Sequence, residues 1–120
     1  MDNASRSVFV FGIYLALLGL GLVLIPNPLL TLFGFKPTTE VWIRIVGLLL
    51  IIIAYYDTEA TRTRTTRFYR WTVFARIFSF LLLTTFVVLG LAQPMLLLFG
   101  FIDLAGATWT ALALRGGAGK

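Results

Sequence analysis

Arg44, Arg76 and Asp103 are the residues of this chain best placed to do chemistry, because each is an ionisable group set in or at the edge of a long apolar run. Such groups are costly in hydrocarbon and mark functional or structural sites by default. Residues 41–56 carry Arg44 alone, and residues 94–114 carry Asp103 alone. Arg44 sits near the start of its run and Asp103 about two to three turns into its own at 1.5 Å per residue. If both runs start from the same side, the two meet. An Arg44–Asp103 pair would neutralise both charges, join the two halves of the chain, and leave a polar spot for a ligand's head group or proton. The structural alternative has Arg44 pairing with Glu40 one turn earlier or extending to lipid head groups, with Asp103 accepting a hydrogen bond from a Thr or Trp. Arg76 lies one to two turns inside its run, where it reaches the head groups by snorkelling or pairs with Asp57.

The chain contains neither histidine nor cysteine. That removes the usual ligands of haem, zinc, copper and iron–sulfur clusters, the commonest general base and the strongest nucleophile. No catalytic residue, metal or cofactor is expected. The glycines of "RGGAGK" (residues 115–120) follow no strand, so they do not form a nucleotide-binding loop. Without cysteine the chain carries no disulfide framework.

The elements that position these groups are legible from composition. Hydrophobic residues make up 59% of the chain and charged residues 12%, and the mean hydropathy is +0.95; an ordinary soluble domain carries about 25% charge. Residues 8–25 and 77–102 are uncharged, long enough to cross a bilayer core of about 30 Å. Backbone groups in lipid must be satisfied within the segment, so the runs are helices. The expectation is an all-α integral membrane protein, a single domain of four transmembrane helices in one bundle, spanning about 7–25, 40–56, 70–91 and 94–114. Prolines 26 and 28 end the first span, and Pro94 starts the last. The opening segment resembles a secretory signal in outline, but Asp2 stands beside Arg6 and no small-x-small site precedes Pro26, which favours a retained helix.

Basic residues set the orientation. Arg6, Arg62, Arg64, Arg67, Arg70, Arg115 and Lys120 fall on one side of the four-span arrangement, and Lys36 alone on the other. By the positive-inside rule both termini face the cytoplasm, across the inner membrane. Tyr55, Tyr56, Phe68, Tyr69 and Trp71 gather at the inner boundary, with Trp42 near the outer one. Arg62, Arg64, Arg67 and Arg70 are expected to contact the anionic leaflet, and the net charge of +5 needs no nucleic acid.

Two further patterns concern packing. "PLLTLFGF" (residues 28–35) returns as "PMLLLFGF" (residues 94–101) at an offset of 66. Two helical hairpins in parallel orientation would give that repeat. Small residues recur at helical spacing in Gly12, Ala16 and Gly19, and again in Gly106, Ala107 and Ala111 beside Thr110. Such stripes let helices approach closely, within the bundle or against another subunit.

"IPNPLLTLFGF" after the first span, "WIRIVGLLL" opening the second, "FARIFSF" opening the third and "FGFIDLAGATWTALALR" in the fourth together resemble the small bacterial four-helix membrane proteins of the DUF4345-like type. There is a more distant likeness to DoxX and BphX proteins. The resemblance implies the four-span fold and singles out Arg44, Arg76 and Asp103 as its polar positions; it brings no activity, and the missing cysteine argues against a DoxX-type redox role. Two functions fit. One is a non-enzymatic accessory or scaffold subunit of a larger membrane complex, packed against other subunits or copies of itself. The other is a binding or carrier protein for a lipophilic molecule such as a quinone, isoprenoid or lipid, held near Arg44 and Asp103.

Overall fold

The computed structural model describes residues 2–116; Lys120 and the glycine-rich tail at 117–119, read above as cytoplasmic, lie outside the described residues. The described residues fold into five helices and no strand: α1 (Asn3–Leu24), α2 (Pro26–Leu32), α3 (Trp42–Arg62), α4 (Thr66–Val88) and α5 (Leu96–Gly116).

Three of them, α1, α4 and α5, are long and apolar enough to cross a membrane, not the four expected. Their 22, 23 and 21 residues correspond to about 31–35 Å at 1.5 Å per residue. The exception is α3. It extends past Tyr56 to Arg62 and so takes in Asp57 and Glu59, and every stretch of 18 residues within it contains three charged side chains.

Local chemistry explains the boundaries. The Asp2 carboxylate accepts the Ser5 backbone N–H at 2.7 Å, and the Asp2 carbonyl accepts that of Arg6 at 2.9 Å. Asp2 is therefore the N-cap of α1. The two bonds from Ser5, backbone N–H first and hydroxyl second, hold the Asp2 carboxyl below the usual carboxylate range, and the Arg64 charge acts in the same direction. Pro26 does end α1, but it also occupies the first turn of α2, where its missing donor costs nothing. The C-terminal ends of α2, α3 and α4 close identically. Gly34 donates to the Thr31 carbonyl and Phe35 to Leu30; Arg64 donates to Thr61 and Thr65 to Ala60; Gly90 donates to Val87 and Leu91 to Phe86. Each is the paired-bond cap that requires a left-handed residue, at Gly34 (φ 80°), Arg64 (φ 54°) and Gly90 (φ 78°).

The two copies of the repeated octapeptide fold differently. In the first, Pro28 lies within α2 and Gly34 is its left-handed cap. In the second, α5 begins at Leu96 and continues through Gly100, which is buried where an added Cβ would lie 3.3 Å from the Phe80 ring and 3.8 Å from Leu83.

The chain divides into two compact units, residues 1–8 with 60–120, and residues 9–59. In the second unit α1 and α3 meet backbone to backbone. A Cβ built on Gly19 would lie 2.7 Å from the Gly47 carbonyl oxygen, and one built on Gly47 would lie 2.7 Å from that of Gly19. Gly12 packs on Asp57 and Ala54. Of the small residues expected to form a packing face on α1, Gly12 and Gly19 are buried against α3, and Ala16 is half-buried. The Asn27 side chain accepts the Thr38 N–H at 2.8 Å, fixing the segment between α2 and α3. In the first unit α4 and α5 pack against each other, and Ala4, Val8, Ala60 and Tyr69 form an apolar cluster with Phe68, Ala113 and Leu114 around it.

Candidate functional site

Counting by 3.6 residues per turn, Tyr69, Thr72, Arg76, Ser79, Phe80 and Leu83 share one face of α4. That face meets α5, whose Gly100, Asp103, Ala107 and Thr110 recur at three- and four-residue spacing. Phe80 and Phe101 rings lie 5.5 Å apart, while Ser79 reaches Asp103 and Arg76 reaches Thr110. Moving forward on α4 means moving back on α5, so the helices are antiparallel. Polar groups concentrate at the end where α4 starts, α5 finishes and α1 begins.

Thr110, with 0% of its surface exposed, is the centre of this seam. Arg76 donates through Nη2 to the Thr110 hydroxyl at 2.9 Å and to the Thr72 hydroxyl at 3.0 Å, and through Nε to the Thr72 carbonyl at 3.1 Å. Thr110 and Ser7 hydroxyls lie 2.7 Å apart, and Ser7 donates to the Ala4 carbonyl at 2.7 Å. Each hydroxyl has one proton, so a consistent order runs from Arg76 to Thr110 to Ser7 to the Ala4 carbonyl. One turn nearer the end, Ser5 and Tyr69 hydroxyls lie 2.7 Å apart, and Tyr69 donates to the Ala60 carbonyl at 3.4 Å. Trp109 donates through Nε1 to the Asn3 side chain at 3.3 Å. Deeper in, Ser79 donates to the Asp103 Oδ2 at 2.9 Å.

The sequence-derived sites divide accordingly. Arg76 does not snorkel: it is 5% exposed and its guanidinium points into the seam. Tyr69, expected at the aromatic boundary, is likewise turned inward at 1% exposure, whereas Tyr55, Tyr56, Trp71 and Trp42 are exposed. Asp103 is half-buried on Ser79 in one unit. Arg44 belongs to the other unit, exposed, where it donates to the Val23 carbonyl, and Glu40 accepts from Trp42 Nε1. On α5, Ala107 is buried at 1% exposure, Gly106 and Ala111 are half-buried, and the Gly106 carbonyl, 3.0 Å from the Thr110 hydroxyl, is the alternative acceptor to Ser7 for its single proton. Arg62, Arg64, Arg67 and Arg70 are all exposed. Arg62 ends α3, Arg64 caps it, and Arg67 and Arg70 lie on α4.

Sequence reasoning misses Ser5, Ser7, Thr72 and Ser79 as site residues. Their one legible signal is position, since each falls on the helix face that also carries Arg76 or the buried apolar residues. The Ser7–Thr110 pairing, across 103 residues, has no local signature at all.

Chemically, the seam is a set of hydrogen bonds among hydroxyls, backbone carbonyls and the Arg76 guanidinium. Among the described residues no three His, Cys, Asp or Glu side chains gather to hold a metal ion. Comparison with protein-family models, with curated proteins and with solved structures finds no match for the chain.

Proposed function

We propose that this chain is a non-enzymatic, multi-pass membrane protein acting as an accessory or scaffold subunit of a larger membrane complex. The observation that carries the reading is the division of α4 and α5 into an inner polar seam and an outer apolar surface. The hydroxyls and the guanidinium of the seam bond to one another, while Phe74, Phe78, Leu98, Phe101 and Leu112 are exposed. Polar groups that hold helices together and apolar groups turned outward suit a protein whose surroundings are lipid and other membrane helices. The resemblance to DUF4345-like four-span proteins agrees with it.

The same division supports the inner-membrane orientation with both termini cytoplasmic. The start of α1, the start of α4 and the end of α5 gather within one unit, as Ser5–Tyr69 and Ser7–Thr110 require. A continuous α1 that begins there and crosses must end on the far side, and the chain must return before Thr66. The 21 residues of α3 make that return, about 31 Å at 1.5 Å per residue, with Arg44 towards one end and Asp57, Glu59 and Arg62 at the other. Arg6, Arg67, Arg70 and Arg115 then share the cytoplasmic side.

The native chain has no cysteine, so single substitutions report topology cleanly. Thr39→Cys and Gln93→Cys are expected to react with an impermeant maleimide from the periplasmic side, and Thr65→Cys only after the membrane is opened. Equal labelling of Thr39→Cys and Thr65→Cys would remove the return crossing. For the role itself, the tagged protein is captured in nanodiscs and its companions weighed by native mass spectrometry. Stoichiometric co-purification of membrane subunits is the expected result. A lone protein carrying one defined lipophilic mass would overturn it in favour of a carrier for a quinone, isoprenoid or lipid, a reading favoured by Asp103, half-buried within α5.

A further inference from the structure

The face of α4 opposite the seam has a composition of its own. Arg67, Arg70, Trp71, Phe74, Phe78 and Leu81 follow the three- and four-residue spacing that keeps side chains on one side of a helix, and all six are exposed. Trp71 is 61% exposed, Phe74 72%, Phe78 61% and Leu81 56%. The order along the stripe is basic, then indole, then aromatic and aliphatic. From Arg70 to Leu81 the helix rises about 16 Å at 1.5 Å per residue, half the roughly 30 Å thickness of a bilayer core.

We infer that this stripe is a binding face for one acidic phospholipid in the leaflet next to the α3–α4 turn. Arg67 and Arg70 take the phosphate, forming charge-assisted hydrogen bonds that a guanidinium fork favours. Trp71 lies at the level of the glycerol esters, where indoles partition, and one acyl chain lies along Phe74, Phe78 and Leu81. Charge complementarity selects the occupant: a neighbouring apolar helix or a neutral lipid leaves two cations unmatched at the head of the stripe. The inference rests on the membrane reading above, and the test separates the two.

Wild-type protein is reconstituted in nanodiscs of equimolar phosphatidylglycerol and phosphatidylcholine, and the lipids retained on it are counted by native mass spectrometry. Failure of the protein to enter the bilayer defeats the membrane reading itself. With insertion intact, the wild type is expected to retain phosphatidylglycerol at least fivefold over phosphatidylcholine. The Arg67→Gln/Arg70→Gln variant is expected to lose this preference, each guanidinium being worth roughly a factor of five. Arg6→Gln/Arg115→Gln, which removes two charges at the same end but off the stripe, should keep it. Equal losses in both variants indicate a diffuse field and overturn the site. A dimer mass that disappears in Phe74→Ala/Phe78→Ala assigns the face to a second copy of the chain, and overturns it as well.

Discussion

Replacing Gly47 by alanine tests the α1–α3 crossing through the sign of its effect. A glycine inside a helix costs about 1 kcal/mol relative to alanine, so in open space Gly47→Ala stabilises. At the crossing the new methyl would meet the Gly19 carbonyl oxygen at 2.7 Å, Leu22 Cβ at 2.9 Å and Val23 Cγ2 at 3.0 Å. An ordinary contact begins near 3.4 Å, and two of these neighbours cannot rotate away, because one is backbone and the other is a Cβ. The helices must separate by about 0.7 Å, a gap that forfeits a quarter to a half of each dispersion contact along the seam. Overpacking of this kind costs about 1–3 kcal/mol, which outweighs the propensity gain. Gly19→Ala meets the Gly47 carbonyl at 2.7 Å and the Ile51 backbone nitrogen at 3.1 Å, and is expected to behave alike. Once one methyl has pushed the helices apart the second finds room, so the double variant should cost less than the two singles together. The assay is a titration of sodium dodecyl sulfate into dodecylmaltoside micelles, followed by circular dichroism. Gly116→Ala serves as the control, having nothing within 4 Å of its added Cβ. Stabilisation by Gly47→Ala, or strict additivity of the pair, would refute the crossing.

Three other outcomes are expected. Thr110→Val keeps the shape and removes the hydroxyl shared by Arg76 and Ser7; it should destabilise by about 2 kcal/mol, given a charge-assisted bond of about 1.5–3 in soluble proteins and smaller values in membranes. A double-mutant cycle with Ser7→Ala in the same titration checks the coupling, and zero coupling refutes the shared bond. Arg64→Gly relieves a left-handed arginine at φ 54° and should stabilise by about 0.5–1 kcal/mol; destabilisation would show that the arginine side chain outweighs the backbone strain. Asp2 has a depressed carboxyl pKa in the folded chain, so its contribution is present above the ordinary carboxylate value near 4 and lost as pH falls through the lower folded value. Asp2→Ala should cost about 1 kcal/mol at neutral pH as a lost N-cap and little at low pH, read from the same titration at both pH values.

Helix content is legible because apolar runs of this length have one solution in lipid, and each of the four long helices lies where composition places it. The limits are less legible. Pro26 reads as a stop, yet the same missing N–H makes it a good first residue, and α2 arises from that second property. Hydrophobicity alone sets the end of α3 at Tyr56, but Asp57 to Arg62 continue the helix because nothing breaks it until Arg64 turns left-handed. The octapeptide repeat misleads because nearly the same residues sit before a cap in one copy and inside a helix in the other; the residues after the glycine decide which. Depth alone makes Arg76 a snorkelling residue. Its acceptors are Thr72, a turn before it, and Thr110, 34 residues after it, and the latter lies on a different helix whose register no single sequence reveals. The small-residue row of α1 stands out by its spacing, while Gly47, its partner, does not, because it is a lone glycine in a leucine-rich run.

The hydrogen bond from Ser7 to Thr110 also bears on biosynthesis. A ribosome adding 5–20 residues per second needs a further ~5–20 s to deliver Thr110 after Ser7. Through that interval the leading helix carries two serines, Ser5 and Ser7, without their final partners, and Tyr69 and Thr110 arrive in that order. The nascent chain therefore closes its first unit last, when the C-terminal helix reaches the start of the first one. A truncation before Thr110 is expected to leave Ser7 without its cross-helix partner, while Ser5 still reaches Tyr69 and α1 still packs on α3.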